Sequence, residues 1–296
     1  MNKKVELLKG KVAVITGASQ GLGESLARLY ASEGAMVILS SRNSSGVEKI
    51  ATELTEAGFS AAGFVCDVQD LKHVEALALY ALQKTGEIDI WVNNAGIAGP
   101  YGRTLDLPVE MFMGVLQTNV VGVYNGSRTA LRHFLPKNQG KLINILGRGD
   151  DGPVPMQNAY ATSKTWIKNF TLALAKEYKN SGLGVFAYNP GLMDTEFLRR
   201  VETFEGMQEQ LKIMPFLIKA FASHPDQAAR KALWLASAAT DGKTGLYVRN
   251  SSRLGMLAHL ARMLFARSKE PVELKISMVQ SGFKPLIKVP MDEKIS

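Results

Sequence analysis

Tyr160 and Lys164 stand four residues apart in Tyr160-Ala161-Thr162-Ser163-Lys164, a spacing that puts both on one face of a helix. A phenol with an unperturbed pKa of ~10 is a poor base at neutral pH, but a neighbouring ammonium favours its ionised form. Such a pair can give a proton to an alkoxide or take one from an alcohol. Alone, it reads more plainly as two helix-surface residues, so its surroundings must decide.

A second group with chemical reach is the run Thr16-Gly17-Ala18-Ser19-Gln20-Gly21-Leu22-Gly23. It follows an apolar stretch and opens a helical one. Glycines there allow a tight turn and let backbone N–H groups approach a pyrophosphate at the helix N-terminus. Gly17, Ser19, Gln20, Gly21, Leu22 and Gly23 are therefore expected to bind a dinucleotide. The spacing is TGxxxGxG rather than GxGxxG. Further on, Ser40-Ser41-Arg42-Asn43 lacks the carboxylate that would accept from an adenosine ribose 2′-hydroxyl. A guanidinium grips phosphate in bidentate fashion, so Ser41 and Arg42 favour NADP, with NAD possible. A solvated loop arginine is the alternative.

The elements that would position these groups alternate strand and helix. Strands are expected at Lys11 to Thr16, Met36 to Ser40, Ala61 to Cys66, Ile88 to Val92, Lys141 to Leu146, Gly184 to Tyr188 and Leu246 to Val248. Helices are expected after the glycine turn to about Ser32, and over Ser44 to Ala57, Leu71 to Lys84, Pro108 to Phe134 with a break near Thr118, and Ala159 to Lys179. This order implies an α/β fold, a parallel sheet covered on both faces. Right-handed crossovers place every strand's carboxyl end along one edge, where the sites belong.

The totals fit one such domain. The chain has 296 residues, 46% hydrophobic and 21% charged, with no apolar run long enough to span a membrane. Met1 to Lys11 is lysine-rich and runs straight into a strand, so it is not read as a secretory signal. Cys66 is the single cysteine, which excludes an internal disulfide and suits a reducing, cytoplasmic setting. No metal is expected. Half of the net charge of +8 lies between Ser251 and Ser296, so a solvated basic tail is favoured over a nucleic-acid surface.

Six segments in register resemble the short-chain dehydrogenase/reductase family. They are TGASQGLG; Cys66-Asp67-Val68; Asn93-Asn94-Ala95-Gly96; Asn119 within Gln117-Thr118-Asn119-Val120; the YxxSK motif at Tyr160 to Lys164; and Asn189-Pro190-Gly191 followed by Thr195. The resemblance implies one Rossmann-type doubly wound domain with a seven-stranded parallel sheet, order 3-2-1-4-5-6-7. It adds Asp67, Val68, Asn94, Ala95, Gly96, Pro190, Gly191, Leu192 and Thr195 to the cofactor-binding set. It makes Tyr160, Lys164 and Asn119 catalytic: Lys164 also holds the nicotinamide ribose, and Asn119 positions a water in a proton relay. Lowering the phenol by about three units takes ~4 kcal/mol. Lysine and an oxidised nicotinamide, both positive in a partly dry cleft, can supply that. Pairing through the helices near 108–134 and 159–179 is implied, as a homodimer or homotetramer. Trp166, Phe170 and Leu174 suit that interface or burial within one subunit equally.

The chain departs from the family at one place. The serine usually found thirteen residues before the tyrosine is Gly147 here, and no serine lies between Gly147 and Tyr160. Losing one donor to a substrate oxygen can cost ~10²–10³ in rate. Arg148 and Asn158 are the nearest replacements, and with Gly147 they form the expected substrate contacts. Asp150 and Asp151, between two glycines, read as turn formers facing water.

The resemblance implies that residues 192–222 form a lid over the substrate; their methionines and aromatics suit a lipophilic small-molecule substrate or simply packing on the domain. Residues 1–250 are read as the NAD(P)-binding domain and 251–296 as an extension. In the extension, Arg253 to Lys269 has the pattern of a basic amphipathic helix, and the final stretch with Pro271, Pro285 and Pro290 reads as extended or partly disordered. Packing of that helix on protein is favoured over attachment to a membrane surface. The reading is an NADP-dependent carbonyl reductase or alcohol dehydrogenase. The alternative, raised by Gly147, is a nucleotide-binding pseudoenzyme with a regulatory or scaffolding role.

Overall fold

A computed structural model describes residues 6–250 and 272–283. The expected alternation is present. β1 (Val12–Thr16), β2 (Met36–Ser41), β3 (Ala61–Val65), β4 (Ile90–Asn93), β5 (Lys141–Ile145) and β6 (Gly184–Asn189) are joined by α1 (Gly21–Ser32), α2 (Ser44–Glu56), α3 (Leu71–Thr85), α4 (Val109–Leu116), α5 (Gly122–Phe134) and α6 (Asn158–Glu177). The segment expected to be the lid follows, with α7 (Glu196–Arg199), a short strand β7 (Arg200–Thr203), α8 (Gln208–Leu211) and α9 (Met214–Phe221). Then come α10 (Pro225–Ala236), β8 (Tyr247–Arg249) and β9 (Lys275–Met278).

The main sheet has seven strands in the order β3-β2-β1-β4-β5-β6-β8, all neighbours parallel. This is the expected order, since β8 is the seventh strand of that sheet. Short apolar runs such as Val12–Thr16 carry no polar alternation because both faces are covered. On one face Leu26, Tyr30, Ile50 and Leu233 pack from α1, α2 and α10. On the other, Val74, Leu77, Phe134 and Leu174 pack from α3, α5 and α6. Where the sequence suggested a break near Thr118, the chain makes a π-helical turn, Gln117–Val121, between α4 and α5. Such turns widen the helix locally and often serve sites.

The predicted helix Arg253 to Lys269 lies outside the described residues, as do Pro271, Pro285 and Pro290. Part of the extension is in place, and it is extended. β9 pairs in parallel with the lid strand β7, Arg200 opposite Lys275 and Thr203 opposite Met278. Val279 N donates to Thr203 O (2.8 Å), and Tyr101 N donates to Glu202 O (2.8 Å). Ser281 Oγ reaches Asp106 Oδ1 at 2.9 Å. The tail therefore straps the lid to the loop that precedes α4. This small sheet leaves no pattern in the sequence, because β7 and β9 are only four residues each and mostly exposed. Among the described residues no helix is long and apolar enough to cross a membrane, and no group of His, Cys, Asp and Glu could hold a metal ion.

Candidate active site

The glycine loop is held by the segment after β4. Asn94 Nδ2 donates to Thr16 O (2.9 Å) and Gly17 O (3.0 Å), while Thr16 Oγ1 accepts from Asn94 N (3.0 Å) and Ala95 N (3.1 Å). These contacts leave no room for side chains. A Cβ on Gly17, which sits at φ +66°, would lie 2.7 Å from Ala95 Cα, and one on Gly23 would lie 2.3 Å from Gly17 O. Glycine is thus required by packing, and the loop delivers the N-terminus of α1 with Gln20 making no side-chain cap. Uncapped first-turn N–H groups are what a pyrophosphate binds. The residues fit a dinucleotide. Thr195 packs over Gly21, 3.5 Å from where its Cβ would be. Gly191 (φ +76°) is turned by its N–H donating to Asn189 Oδ1 at 2.8 Å, with Pro190 between them and Leu192 following.

At the adenosine end, Ser40 Oγ is buried and has no hydrogen-bond partner among the described residues. Ser41 Oγ accepts from Asn43 N (2.9 Å), and Arg42 is exposed, with no hydrogen bond or ion pair among the described residues. Ser19 lies against Gly46 at the start of α2. Asp67 is half-buried and accepts from Gln69 N (3.0 Å), and Val68 is pressed onto Gly122 of α5.

Where β4, β5 and the π-helical turn meet, Asn119, Tyr160 and Lys164 come together around Gly96 and Gly147. The Cβ position of Gly96 lies 3.2 Å from Asn119 Oδ1 and 3.6 Å from Lys164 Nζ. Asn119 is wholly buried: Oδ1 accepts from Ile97 N (2.9 Å), and Nδ2 donates to Ile97 O and Ser163 Oγ, both at 3.0 Å. Lys164 Nζ donates to Ile145 O (3.2 Å) and lies 5.5 Å from the Tyr160 ring centroid. Burial, opposed by the charge of Asp150, pulls the Lys164 ammonium down to about 8. Burial, reinforced by Asp150, pushes the Tyr160 phenol above its usual value.

A family model for short chain dehydrogenases matches residues 11–206. The chain belongs to that family. It is 35% identical over 242 residues to 3beta-hydroxysteroid dehydrogenase 1 of Eggerthella lenta, covering 80% of this chain and 91% of that one. It is 32% identical over 240 residues to glucose 1-dehydrogenase 2 of Bacillus subtilis, covering 80% and 92%. Among solved structures it is similar to an actinorhodin polyketide ketoreductase variant with NADPH (TM-score 0.74, 28% identity, 83% and 97% covered). It is also similar to 3-ketoacyl-(acyl-carrier-protein) reductase from Brucella melitensis with NADH (TM-score 0.73, 32% identity, 82% and 97% covered). This short-chain dehydrogenase is accordingly an oxidoreductase of carbonyl and alcohol groups with a nicotinamide cofactor and a small-molecule substrate.

In this short-chain dehydrogenase Gly147, where the family serine was expected, has no room for a side chain. A Cβ on Gly147 would lie 2.2 Å from the Tyr160 hydroxyl and 3.5 Å from Lys164 Cε. The phenol itself rests where a side chain at 147 would begin. Of the two expected substitutes, Arg148 is exposed and makes no hydrogen bond or ion pair among the described residues. Asn158 donates to Thr104 Oγ1 (2.7 Å) and lines a cavity of ≈ 10 Å³ beside Tyr160, with Pro100, Leu107, Val115 and Met156. That is room for about one water. Met207, Leu211 and Ile218 of the lid are buried, whereas Phe197 stays exposed with its ring 6.0 Å from that of Tyr160.

The expectation that Asp150 and Asp151 both face water is wrong for Asp150. Its side chain is wholly buried and accepts from Tyr247 OH (2.7 Å), Asn189 Nδ2 (2.9 Å) and Arg249 Nη2 (3.1 Å). Asp151 is exposed and pairs with Arg249 Nη1 at 2.6 Å. Adjacent residues of one type in a glycine turn carry no signal as to which points inward; the three donors come from β6 and β8, far away in sequence.

Proposed function

We propose that this chain is an NADP-dependent oxidoreductase that interconverts a carbonyl and an alcohol on a lipophilic small molecule, with Tyr160 as the proton-transferring group. The observation that carries the reading is the convergence of the Tyr160 hydroxyl, the Lys164 ammonium and the Asn119 amide at the carboxyl edge of the sheet, beside the glycine cradle. Gly17, Ser19, Gln20, Gly21, Leu22 and Gly23 would hold the pyrophosphate, and Ser41 and Arg42 the adenosine phosphate. Asp67 and Val68 would hold the adenine, and Asn94, Ala95, Gly96, Pro190, Gly191, Leu192 and Thr195 the nicotinamide half. When bound, the dinucleotide supplies or accepts the hydride. Tyr160 gives its proton to the carbonyl oxygen in reduction and takes one back in oxidation. Lys164 stabilises the phenolate that is left, by opposite charge in a dry setting. Asn119 fixes the backbone at Ile97 and, through Ser163, the start of the helix that carries Tyr160.

Lipophilicity is supported by Leu107, Val115 and Met156 in the cavity's mixed lining and by two relatives named for steroid and polyketide chemistry; the glucose dehydrogenase relative points the other way. A homo-oligomer is supported by exposed Val109, Phe112, Met113 and Tyr124, and by Trp166 stacked on Phe170 at 4.6 Å; Leu174 belongs to the core of its own subunit. The single, buried Cys66 supports a reducing, cytoplasmic setting.

The test is a titration with NADPH and NADH, then turnover on a panel of lipophilic ketones. Tyr160→Phe should lower kcat at least ~10²-fold with cofactor affinity unchanged. Arg42→Ala should weaken NADPH about tenfold and leave NADH alone. Tighter NADH binding in the native protein overturns the NADP preference. Tight cofactor binding with no turnover favours the pseudoenzyme reading that Gly147 raised.

A further inference from the structure

Asp150 is a buried carboxylate joined through Asn189 to Gly147, the residue under the Tyr160 hydroxyl, and no part of the hydride chemistry requires it. Its location is built, not incidental. Gly149, at φ +104°, presses on Ala161 of α6, where its Cβ would meet backbone at 2.5 Å, so the chain turns inward at this point. The same Asn189 Nδ2 that donates to Asp150 Oδ2 (2.9 Å) also donates to Gly147 O (3.2 Å). Asp150 is thereby tied to the residue on which the Tyr160 hydroxyl rests. Lys168 Nζ holds the Asp150 carbonyl (3.1 Å) from α6, and Thr165 Oγ1 donates to Gly149 O.

We propose that Asp150 is a positioning residue whose buried negative charge keeps Lys164 an ammonium and Tyr160 a phenol, biasing the site toward giving a proton to a carbonyl oxygen. The proposal rests on the reading of Tyr160 and Lys164 as the reacting pair. Three elements supply charged or titratable groups around the carboxylate. From α6 come Tyr160, Lys164 and Lys168; from β8, Tyr247 and Arg249; from its own loop, Arg148 and Asp151, both exposed. The end of β6 adds only the neutral Asn189.

The physical logic is a balance of three terms. Burial disfavours the charged lysine and the charged phenolate alike. An anion nearby opposes burial at the lysine and adds to it at the tyrosine, so the pair is held in the state that donates. Arg249, half-exposed and shared with Asp151, moderates that anion. Neutralising Asp150 and removing its counter-cation must then move Lys164 in opposite directions, whereas mere loosening of the loop would move both the same way.

The experiment titrates the Lys164 side chain by NMR in the full chain labelled with [13C]lysine, the signal assigned by its absence in Lys164→Met. The native midpoint is expected near 8. Asp150→Asn should lower it by on the order of one pH unit. Arg249→Gln should raise it. Midpoints that stay put, or that move together, overturn the proposal. If Asp150→Asn does not fold, Arg249→Gln decides alone: an unchanged or lowered midpoint overturns it. The titration does not pass through turnover, so it is separate from the Tyr160→Phe assay. Turnover that survives Tyr160→Phe removes the reacting pair and this proposal with it; turnover lost there, with no opposed shifts here, removes this proposal only.

Discussion

Restoring the family's serine at Gly147 should damage this enzyme rather than improve it. The magnitude follows from geometry. A Cβ there lies 2.2 Å from the Tyr160 oxygen and 3.1 Å from Cζ, and side-chain carbons essentially never approach another heavy atom closer than 3.0 Å. The phenol must therefore withdraw by about 1 Å, and a displacement of that size in a reacting group can cost ~10² in rate. Since the obstructed atom ends a side chain, it can swing aside, so the stability cost falls at the low end of the ~1–3 kcal/mol typical of overpacking.

The assay compares kcat for NADPH-dependent ketone reduction, together with thermal melting, in the native protein, Gly147→Ala and Gly147→Ser. Both variants carry the obstructing carbon, but only serine adds a donor. We expect both to lose about 10²-fold in kcat and a few degrees of Tm, ~2–4 °C per kcal/mol for a domain of this size. Serine at or above the native rate, with Tm unchanged, would refute the reasoning: the site would then be short of a donor, not of space.

Two other predictions concern the charge on Lys164 and the strand β9. Lys164 is brought from 10.5 to about 8 by burial, so below pH 8 its charge costs the folded state about 3 kcal/mol. The cost fades as pH climbs to 10.5, because only the unfolded chain still holds the proton there. Lys164→Met should accordingly raise unfolding free energy at pH 7 by up to about 3 kcal/mol and lose that gain above pH 10.5; denaturant melts showing destabilisation at pH 7 would contradict it. Ser277→Pro, in the middle of β9, removes a ladder donor facing β7. Trypsin should then cleave the lid near Arg199, Arg200 and Lys212 about tenfold faster, following the population of the opened lid; equal rates would mean that the tail does not restrain it.

Fold and cradle were legible in the sequence because each depends on local order. A buried parallel strand needs only a short apolar run, and the glycine loop needs its residues consecutive. Even the break near Thr118 was visible, where the chain makes its π-helical turn. What could not be read were contacts assembled from distant segments. β9 finds β7 across more than seventy residues. Asp150 differs from Asp151 only because Asn189, Tyr247 and Arg249 arrive from two later strands.

The loop from Gly147 to Asp151 shows how a lost hydroxyl and a buried charge can belong to one design. With a side chain at 147, the phenol would have to stand away from the loop. Without one, it settles onto the backbone, into a drier place where ionisation is harder. A tyrosine so placed is a weak base but a well-kept proton donor, and an anion three residues on strengthens that bias while protecting the lysine's charge. On the proposed reading, glycine at 147 and the anion at 150 act together: one lets the phenol settle onto the backbone, the other keeps it protonated there.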